Sequence, residues 1–247
     1  MDDFIIGSVE ADVLNGSDLP DTIVGLAGND TIAGGTNDDI LTGNAGLDVL
    51  SGDDGNDLIA AGRDDDVVNG GAGDDFLAGN IGADVLVGDD GNDFLFGGQD
   101  DDILVGGAGN DTLTGDFGIN VLRGDGGADV FLVRTDVALN DPNRLPTSGQ
   151  FLTDAIVDFN GAEGDKIALT DGLTESNLVL QPFSLPLQIV ESQFISEGLA
   201  ERLGDINLDP NGDGLVEVTF VRIVDGPVLT VTLNATSADL SGNFISV

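Results

Sequence analysis

"GDDGNDFLFGGQDDDILVGGAGNDTLTG", residues 88–115, decides how this chain folds. Aspartate and glycine dominate it, so composition alone describes a solvated, self-repelling coil. Yet Phe94, Leu95, Phe96, Ile103, Leu104 and Leu113 interrupt it at regular places. Asp93, Asp102 and Asp111 stand nine residues apart, and two residues beyond them come Leu95, Leu104 and Leu113.

The same spacing runs outward from this stretch without an insertion or deletion. Asp12, Asp21, Asp30, Asp39, Asp48, Asp57, Asp66, Asp75 and Asp84 precede it, and Asn120 and Asp129 follow. Two residues beyond every one stands an apolar side chain, from Leu14 to Phe131. Five residues before each stands glycine, from Gly7 to Gly124, with Ala61 the exception. A longer period lies over the first, because residues 44–78 and 80–114 agree at 21 of 35 positions. Self-similarity at a fixed period is the mark of a stacked repeat, in which each unit buries its apolar face against its neighbours.

Nine residues suit one short strand and one tight turn. The three residues after each Asp send one side chain inward and two outward by strand alternation. The six residues of "GGAGND" form the turn, where glycine permits positive φ and close backbone approach. Asn44, Asp53, Asn80 and Asp89 hold the second turn position, and Asn and Asp tolerate the left-handed region best among the remaining residues. Two units then make an 18-residue coil. The expected class is all-β, a parallel β-roll of two sheets around a thin aliphatic core. It covers residues 1–132, with 1–20 as an N-terminal cap, and a smaller mainly-β domain with a short helix occupies 133–247.

Stacking sets Asp48 over Asp30 and Asp57 over Asp39. Carboxylates at a strand spacing of about 4.8 Å repel, and a hard divalent cation with oxygen ligands removes the conflict. Calcium accepts an irregular set of six to eight oxygens, whereas magnesium wants a stricter octahedron. The candidate ligands are the side chains of Asp21, Asp30, Asp39, Asp48, Asp57, Asp66, Asp75, Asp84, Asp93, Asp102, Asp111, Asn120 and Asp129. Turn carbonyls complete the set. At the first turn position these are Gly25, Gly34, Gly43, Gly52, Gly70, Gly79, Gly88, Gly97 and Gly106. Gly35, Gly71, Gly98 and Gly107 follow at the second position, and Ala27 at the third. Gly28, Gly46, Gly55, Gly73, Gly82, Gly91 and Gly109 stand at the fourth. The repeat holds on the order of ten ions of extracellular-module affinity.

Composition agrees. Forty-six acidic residues against seven basic ones give a net charge of -39, which points to cations and away from nucleic acid or anionic membrane. There is no Cys and no His, so disulfides, thiol chemistry and a Ser-His-Asp triad are excluded, and a zinc site would lack its usual ligands. Paired carboxylates hydrolyse glycosides, but no pair stands out from the repeat. No segment approaches transmembrane length, and "MDDFIIGSVEAD" lacks the basic region and apolar run of a signal peptide.

The repeat resembles the G-G-x-G-x-D-x-U-x nonapeptide of RTX proteins, which "GGAGDDFLA" (70–78) and "GGAGNDTLT" (106–114) match at every defined position. The resemblance covers roughly residues 7–132 and implies a calcium-loaded parallel β-roll. Leu19, Asn37, Asp64 and Asp100 replace glycine at the fourth turn position, where the turn is expected to depart from ideal geometry. "GSVEAD" and "GSDLPD" are degenerate and read as a cap with weak or absent metal. "GGADVFLV" and "AIVDFNGAEGDKIALTDGL" are similar to the segment that follows the roll in serralysin-type proteases. The closing "GNFISV" is similar to that family's uncleaved secretion signal. The resemblance therefore implies bacterial type I secretion machinery as a partner and an extracellular or cell-surface location.

Beyond the repeat, strands are expected near 129–134, 154–159 and 165–169, and a helix near 193–203 closed by Gly204. A hairpin follows, 215–224 and 228–233, around Asp225 and Gly226. Pro142, Pro146, Pro182 and Pro186 sit in loop-like surroundings. "DPNGDGLVE" (209–217) offers Asp209, Asn211, Asp213 and Glu217 as a further calcium loop, against the plain reading of an acidic turn.

Alternation also places Leu58, Phe76 and Phe94, with Ala60, Ala78 and Phe96, on the outside of one sheet. Residues 133–247 are expected to pack over this strip; otherwise it faces a partner or a second copy. The leading reading is thus a secreted, non-catalytic calcium-binding protein that folds on meeting calcium. The alternative is an adhesion, matrix or polysaccharide-binding protein using the rigid rod and its apolar face.

Overall fold

The computed structural model describes residues 4–133, 154–169, 178–186, 215–223, 228–233 and 240–246. Two short strands begin it, β1 (Phe4–Ile6) and β2 (Val13–Asn15). The next six are β3 (Thr22–Ala27), β4 (Thr31–Thr36), β5 (Ile40–Ala45), β6 (Val49–Asp54), β7 (Leu58–Arg63) and β8 (Val67–Ala72). Then come β9 (Phe76–Ile81), β10 (Val85–Asp90), β11 (Phe94–Gln99), β12 (Ile103–Ala108), β13 (Thr112–Asp116), β14 (Val121–Gly126) and β15 (Val130–Val133). After these lie β16 (Asp154–Ile156), β17 (Lys166–Leu169), β18 (Leu178–Pro186), β19 (Leu215–Ile223), β20 (Val228–Leu233) and β21 (Phe244–Ser246).

Consecutive units alternate between two sheets. Among the described residues, one sheet runs β1-β3-β5-β7-β9-β11-β13-β15-β17-β21 and the other β2-β4-β6-β8-β10-β12-β14-β16-β20-β19-β18. Within the repeat every pairing is parallel with an offset of eighteen: Leu58 pairs with Phe76 and Phe76 with Phe94, Leu77 with Leu95, Val67 with Val85. This is the expected two-sheet roll. Its core is one file of side chains per sheet, since Ile23, Ile32, Leu41, Leu50, Ile59, Leu77, Leu95 and Phe131 are all fully buried. A side chain of this size contributes about 1.5–3 kcal/mol when buried, and the file repeats that gain coil after coil.

Two expectations are corrected. The repeat strands are mostly six residues long, because the first three turn residues still pair from coil to coil, as Asp53 does with Gly71. The chain therefore turns its corner on three residues. Second, Pro182 and Pro186 lie within β18. Among the described residues that strand is an edge, where a missing N–H is tolerated. The described strands beyond Val133 continue the same two sheets, β16 pairing parallel with β14 and β17 with β15.

The 215–224 and 228–233 hairpin is present as antiparallel β19 and β20. The expected helix at 193–203 with Gly204 lies outside the described residues, as do Pro142 and Pro146. Among the described residues the apolar strip stays partly open: Leu58 is 47% exposed and Phe76 41%. Phe94 and Phe96 are half-buried, and the Phe76 and Phe94 rings stack with centroids 5.2 Å apart.

Candidate metal centre

Because strands alternate between sheets, the aspartates fall into two columns, one at each edge of the roll. Asp12, Asp30, Asp48, Asp66, Asp84, Asp102 and Asn120 form one; Asp21, Asp39, Asp57, Asp75, Asp93, Asp111 and Asp129 form the other. Each column is stitched by its own carboxylates. The N–H of Asp57 donates to Asp75 Oδ1 at 2.7 Å, and that of Asp75 to Asp93 Oδ1 at 2.8 Å. The other column repeats the link from Asp30 to Asp48 and from Asp48 to Asp66. One carboxylate oxygen thus does structural work that the sequence reading had given entirely to metal.

The second oxygen has no such donor. Oδ2 of Asp30, Asp39, Asp48, Asp57, Asp66, Asp75, Asp93, Asp102, Asp111 and Asp129 is buried without a hydrogen-bond partner. Leaving a buried polar atom unmade costs about 1–3 kcal/mol, and more for a charged one. The carboxyls respond accordingly. Burial pushes Asp57 and Asp93 up to about 6, Asp66, Asp75 and Asp111 to about 7, and Asp102 to about 9. Backbone N–H donors offset part of this, and neighbouring carboxylates add to it: Asp57 and Asp93 both push Asp75 upward. Asp39, Asp48 and Asp129 move the same way for the same first cause.

The surroundings of these oxygens are oxygen again. A methyl group on Gly70 would strike Asp75 Oδ2 and stand 2.9 Å from the carbonyl oxygen of Gly88. At Gly106 it would meet Asp111 Oδ2 and the Gly124 carbonyl; at Gly88, Asp93 Oδ2 and the Gly106 carbonyl. Glycine at the first turn position therefore keeps a gap bordered by a carboxylate oxygen of its own turn and a carbonyl of the next coil. Gly25, Gly34, Gly43, Gly52 and Gly79 sit in equivalent gaps, beside Asp30, Asp39, Asp48, Asp57 and Asp84. At Gly97 the nearest atoms belong to Asp102 alone. No three acidic side chains converge among the described residues, so the remaining donors at each gap are main chain. An oxygen-only set with one charge per turn fits a hard cation such as calcium, and offers nothing to a soft one.

The other predicted carbonyl positions also stack at intervals of eighteen. The Gly55 carbonyl lies under Gly73, Gly73 under Gly91, and Gly28 under Gly46, while Gly35, Gly71, Gly98 and Gly107 repeat this at the second position. Gly82 and Gly109 complete the fourth-position files, over Asp64 and Gly91. Several third-position carbonyls enter the coil ladder, as those of Ala45, Ala72 and Ala108 accept from Gly28, Gly55 and Gly91 at 2.9, 2.8 and 2.8 Å. As expected, Asn44, Asp53, Asn80 and Asp89 take positive φ, between 72° and 82°. The fourth-position departures keep a positive φ but shift the turn: Asn37, Asp64 and Asp100 adopt φ of 77°, 74° and 76°, whereas Gly28, Gly55 and Gly73 take 105°, 155° and 138°. Leu19 does not join them.

The column ends are closed by side chains of the protein. Asp12 Oδ2 accepts from the Ser8 N–H and hydroxyl, and Asp21 Oδ2 from those of Ser17, at 2.7 and 3.0 Å. Asp21, expected as a ligand, thus differs from the residues above it, and the N-terminal turns form a cap. At the other end the columns outrun the unbroken repeat. Asn120 donates to Asp154 Oδ1, and the Asp129 N–H to Asp165 Oδ1 at 3.0 Å. The Asn160 N–H donates to Asp165 Oδ2. Sequence reading missed Asp154 and Asp165, although Ile156 and Ile167, two residues on, carry the repeat's signature and are fully buried. Asp209, Asn211 and Asp213 lie outside the described residues, while Glu217 falls within β19.

A family model for the RTX calcium-binding nonapeptide repeat, four copies long, matches residues 16–50, 42–77, 51–86, 78–113 and 105–133. Residues 16–133 are RTX calcium-binding repeats. No curated protein matches the chain. RTX repeats bind calcium, and the buried oxygen-lined gaps of both columns are the part of this structure that suits it.

Proposed function

We propose that this chain is a secreted, non-catalytic RTX protein whose roll is completed by extracellular calcium. The observation that carries the reading is the buried Oδ2 atoms of Asp30, Asp39, Asp48, Asp57, Asp75, Asp93 and Asp111, which lack a hydrogen-bond donor and border the same glycine gaps as carbonyls of the next coil. The ligands are Asp30, Asp39, Asp48, Asp57, Asp66, Asp75, Asp84, Asp93, Asp102, Asp111 and Asp129, with carbonyls of the turn glycines, and the sequence Asp209, Asn211, Asp213 and Glu217 supplies a further calcium set. Bound calcium supplies the positive charge that the stacked carboxylates need. The chain's own part is to hold those oxygens in register, through the Oδ1 links and the aliphatic file. Without the cation, repulsion and unmade bonds oppose stacking, so binding free energy becomes folding free energy. A chain loose in the calcium-poor cytoplasm suits a narrow type I export channel, and RTX proteins are typically secreted by bacteria. Far-ultraviolet circular dichroism in chelator and in millimolar calcium tests this: coil must give way to strand as calcium is added. Equal order in both refutes it.

A second reading, self-assembly or adhesion through the sheet face, draws on the exposure of Ile40, Leu58 and Phe76. Light scattering of the calcium-loaded protein over a range of concentrations separates it, since a strict monomer excludes assembly.

A further inference from the structure

Asn120 is the one position in the two columns, from Asp12 to Asp129, where an amide replaces the carboxylate. Its Oδ1 does what every ladder carboxylate does, accepting the Asp102 N–H at 2.9 Å. Its Nδ2 stands where the other units place Oδ2. A methyl group on Gly115 would strike Asn120 Nδ2, just as one on Gly106 or Gly124 would strike the Oδ2 of Asp111 or Asp129. That nitrogen donates to Asp154 Oδ1 at 3.0 Å, and the Asn120 N–H reaches the same oxygen at 3.2 Å. Asn120 and Asp154 are both buried.

We infer that Asn120 makes the joint between β14 and β16 a metal-free link, with its amide donor taking the place of the cation. The sequence reading had placed Asn120 among the ligands. The geometry assigns it the opposite role: the atom facing the gap is a donor, which repels a cation and satisfies the next carboxylate directly. One column therefore stops loading at Asp102, while the other keeps a carboxylate at Asp129 that faces Asp165. The strand carrying Asp154 is held to the roll by hydrogen bonds that no chelator can remove. This inference rests on the calcium reading above.

The test is the calcium count of the full chain by native mass spectrometry, for wild type, Asn120→Asp and Asn120→Ala. Asn120→Asp restores an oxygen at the gap and is expected to carry one ion more than wild type. Asn120→Ala removes the donor without adding a ligand and is expected to carry the wild-type number. An unchanged count in Asn120→Asp, or one ion fewer in Asn120→Ala, overturns the inference. If Asn120→Asp does not fold even in calcium, the Asn120→Ala count decides alone. A wild-type protein that binds no calcium defeats the proposed function itself, which is a different and separately visible result.

Discussion

Replacing Asp75 by Asn should change the roll in opposite directions with and without calcium. In wild type Asp75 accepts the Asp57 N–H through Oδ1, buries Oδ2 without a donor, and is pushed to about 7 by burial with Asp57 and Asp93 on either side. Asn keeps the acceptor and sets a donor towards the next carboxylate, as Asn120 does towards Asp154. At a coil spacing of about 4.8 Å and an effective dielectric near 20, one neighbouring charge pair costs about 3 kcal/mol. Removing the Asp75 charge relieves that repulsion on both sides, so the metal-free chain should keep more strand signal in chelator than wild type. With calcium the sign reverses. The gap beside Gly70 loses its carboxylate, and the variant should bind fewer ions and need more calcium to fold. Circular dichroism along a calcium titration, with the ion count by native mass spectrometry, reads both effects. A variant that matches wild type in both measurements, or loses order in chelator, refutes the reasoning.

Other consequences are simpler to state. Leu77 is fully buried in the aliphatic file, so Leu77→Ala should cost about 2–5 kcal/mol, seen as a lower melting temperature in saturating calcium without loss of bound ions. Gly73 has φ of 138° with the Gly55 carbonyl beneath it, so Gly73→Ala combines strain with a backbone clash and should raise the calcium needed for folding. Acid should partly substitute for calcium. Asp66, Asp75 and Asp111 titrate near 7 when folded against 3.8 otherwise, so the folded chain holds extra protons between those values. Metal-free stability is then fullest below about pH 4 and falls as pH rises towards 7. Strand signal in chelator that grows as pH rises from 5 to 8 would contradict this. Phe76→Ser removes an exposed ring stacked on Phe94, and should lower any concentration-dependent scattering while leaving the ion count unchanged.

How much of this was readable in the sequence depends on what each feature requires. The register, the buried file and the positive-φ positions were legible because a nine-residue phase leaves one solution: Leu77 must face in if Leu95 does. The six-residue strands were not, since Gly-Gly-Ala reads as a turn until the next coil supplies its hydrogen-bond partners. The Oδ1 links were hidden for the same reason, being contacts eighteen residues away. Asp154 lies off the nine-residue phase, and the segment before it broke the pattern that would have drawn attention to it. In β18, Pro182 and Pro186 looked like loop residues because edge position is a property of the sheet, not of the local sequence.

Alternation of successive units between the two sheets also limits how such a molecule can change its length. Insert eighteen or thirty-six residues, and every strand downstream keeps its sheet, its column and its partner. Insert nine between Asn120 and Asp154, and each later strand is transferred to the opposite wall, so that these two no longer meet in the column they share and the C-terminal hairpin is offered to the wrong sheet. The agreement between residues 44–78 and 80–114 marks growth by two whole coils. The architecture thus has a parity, and gain or loss of material is tolerated in even numbers of units.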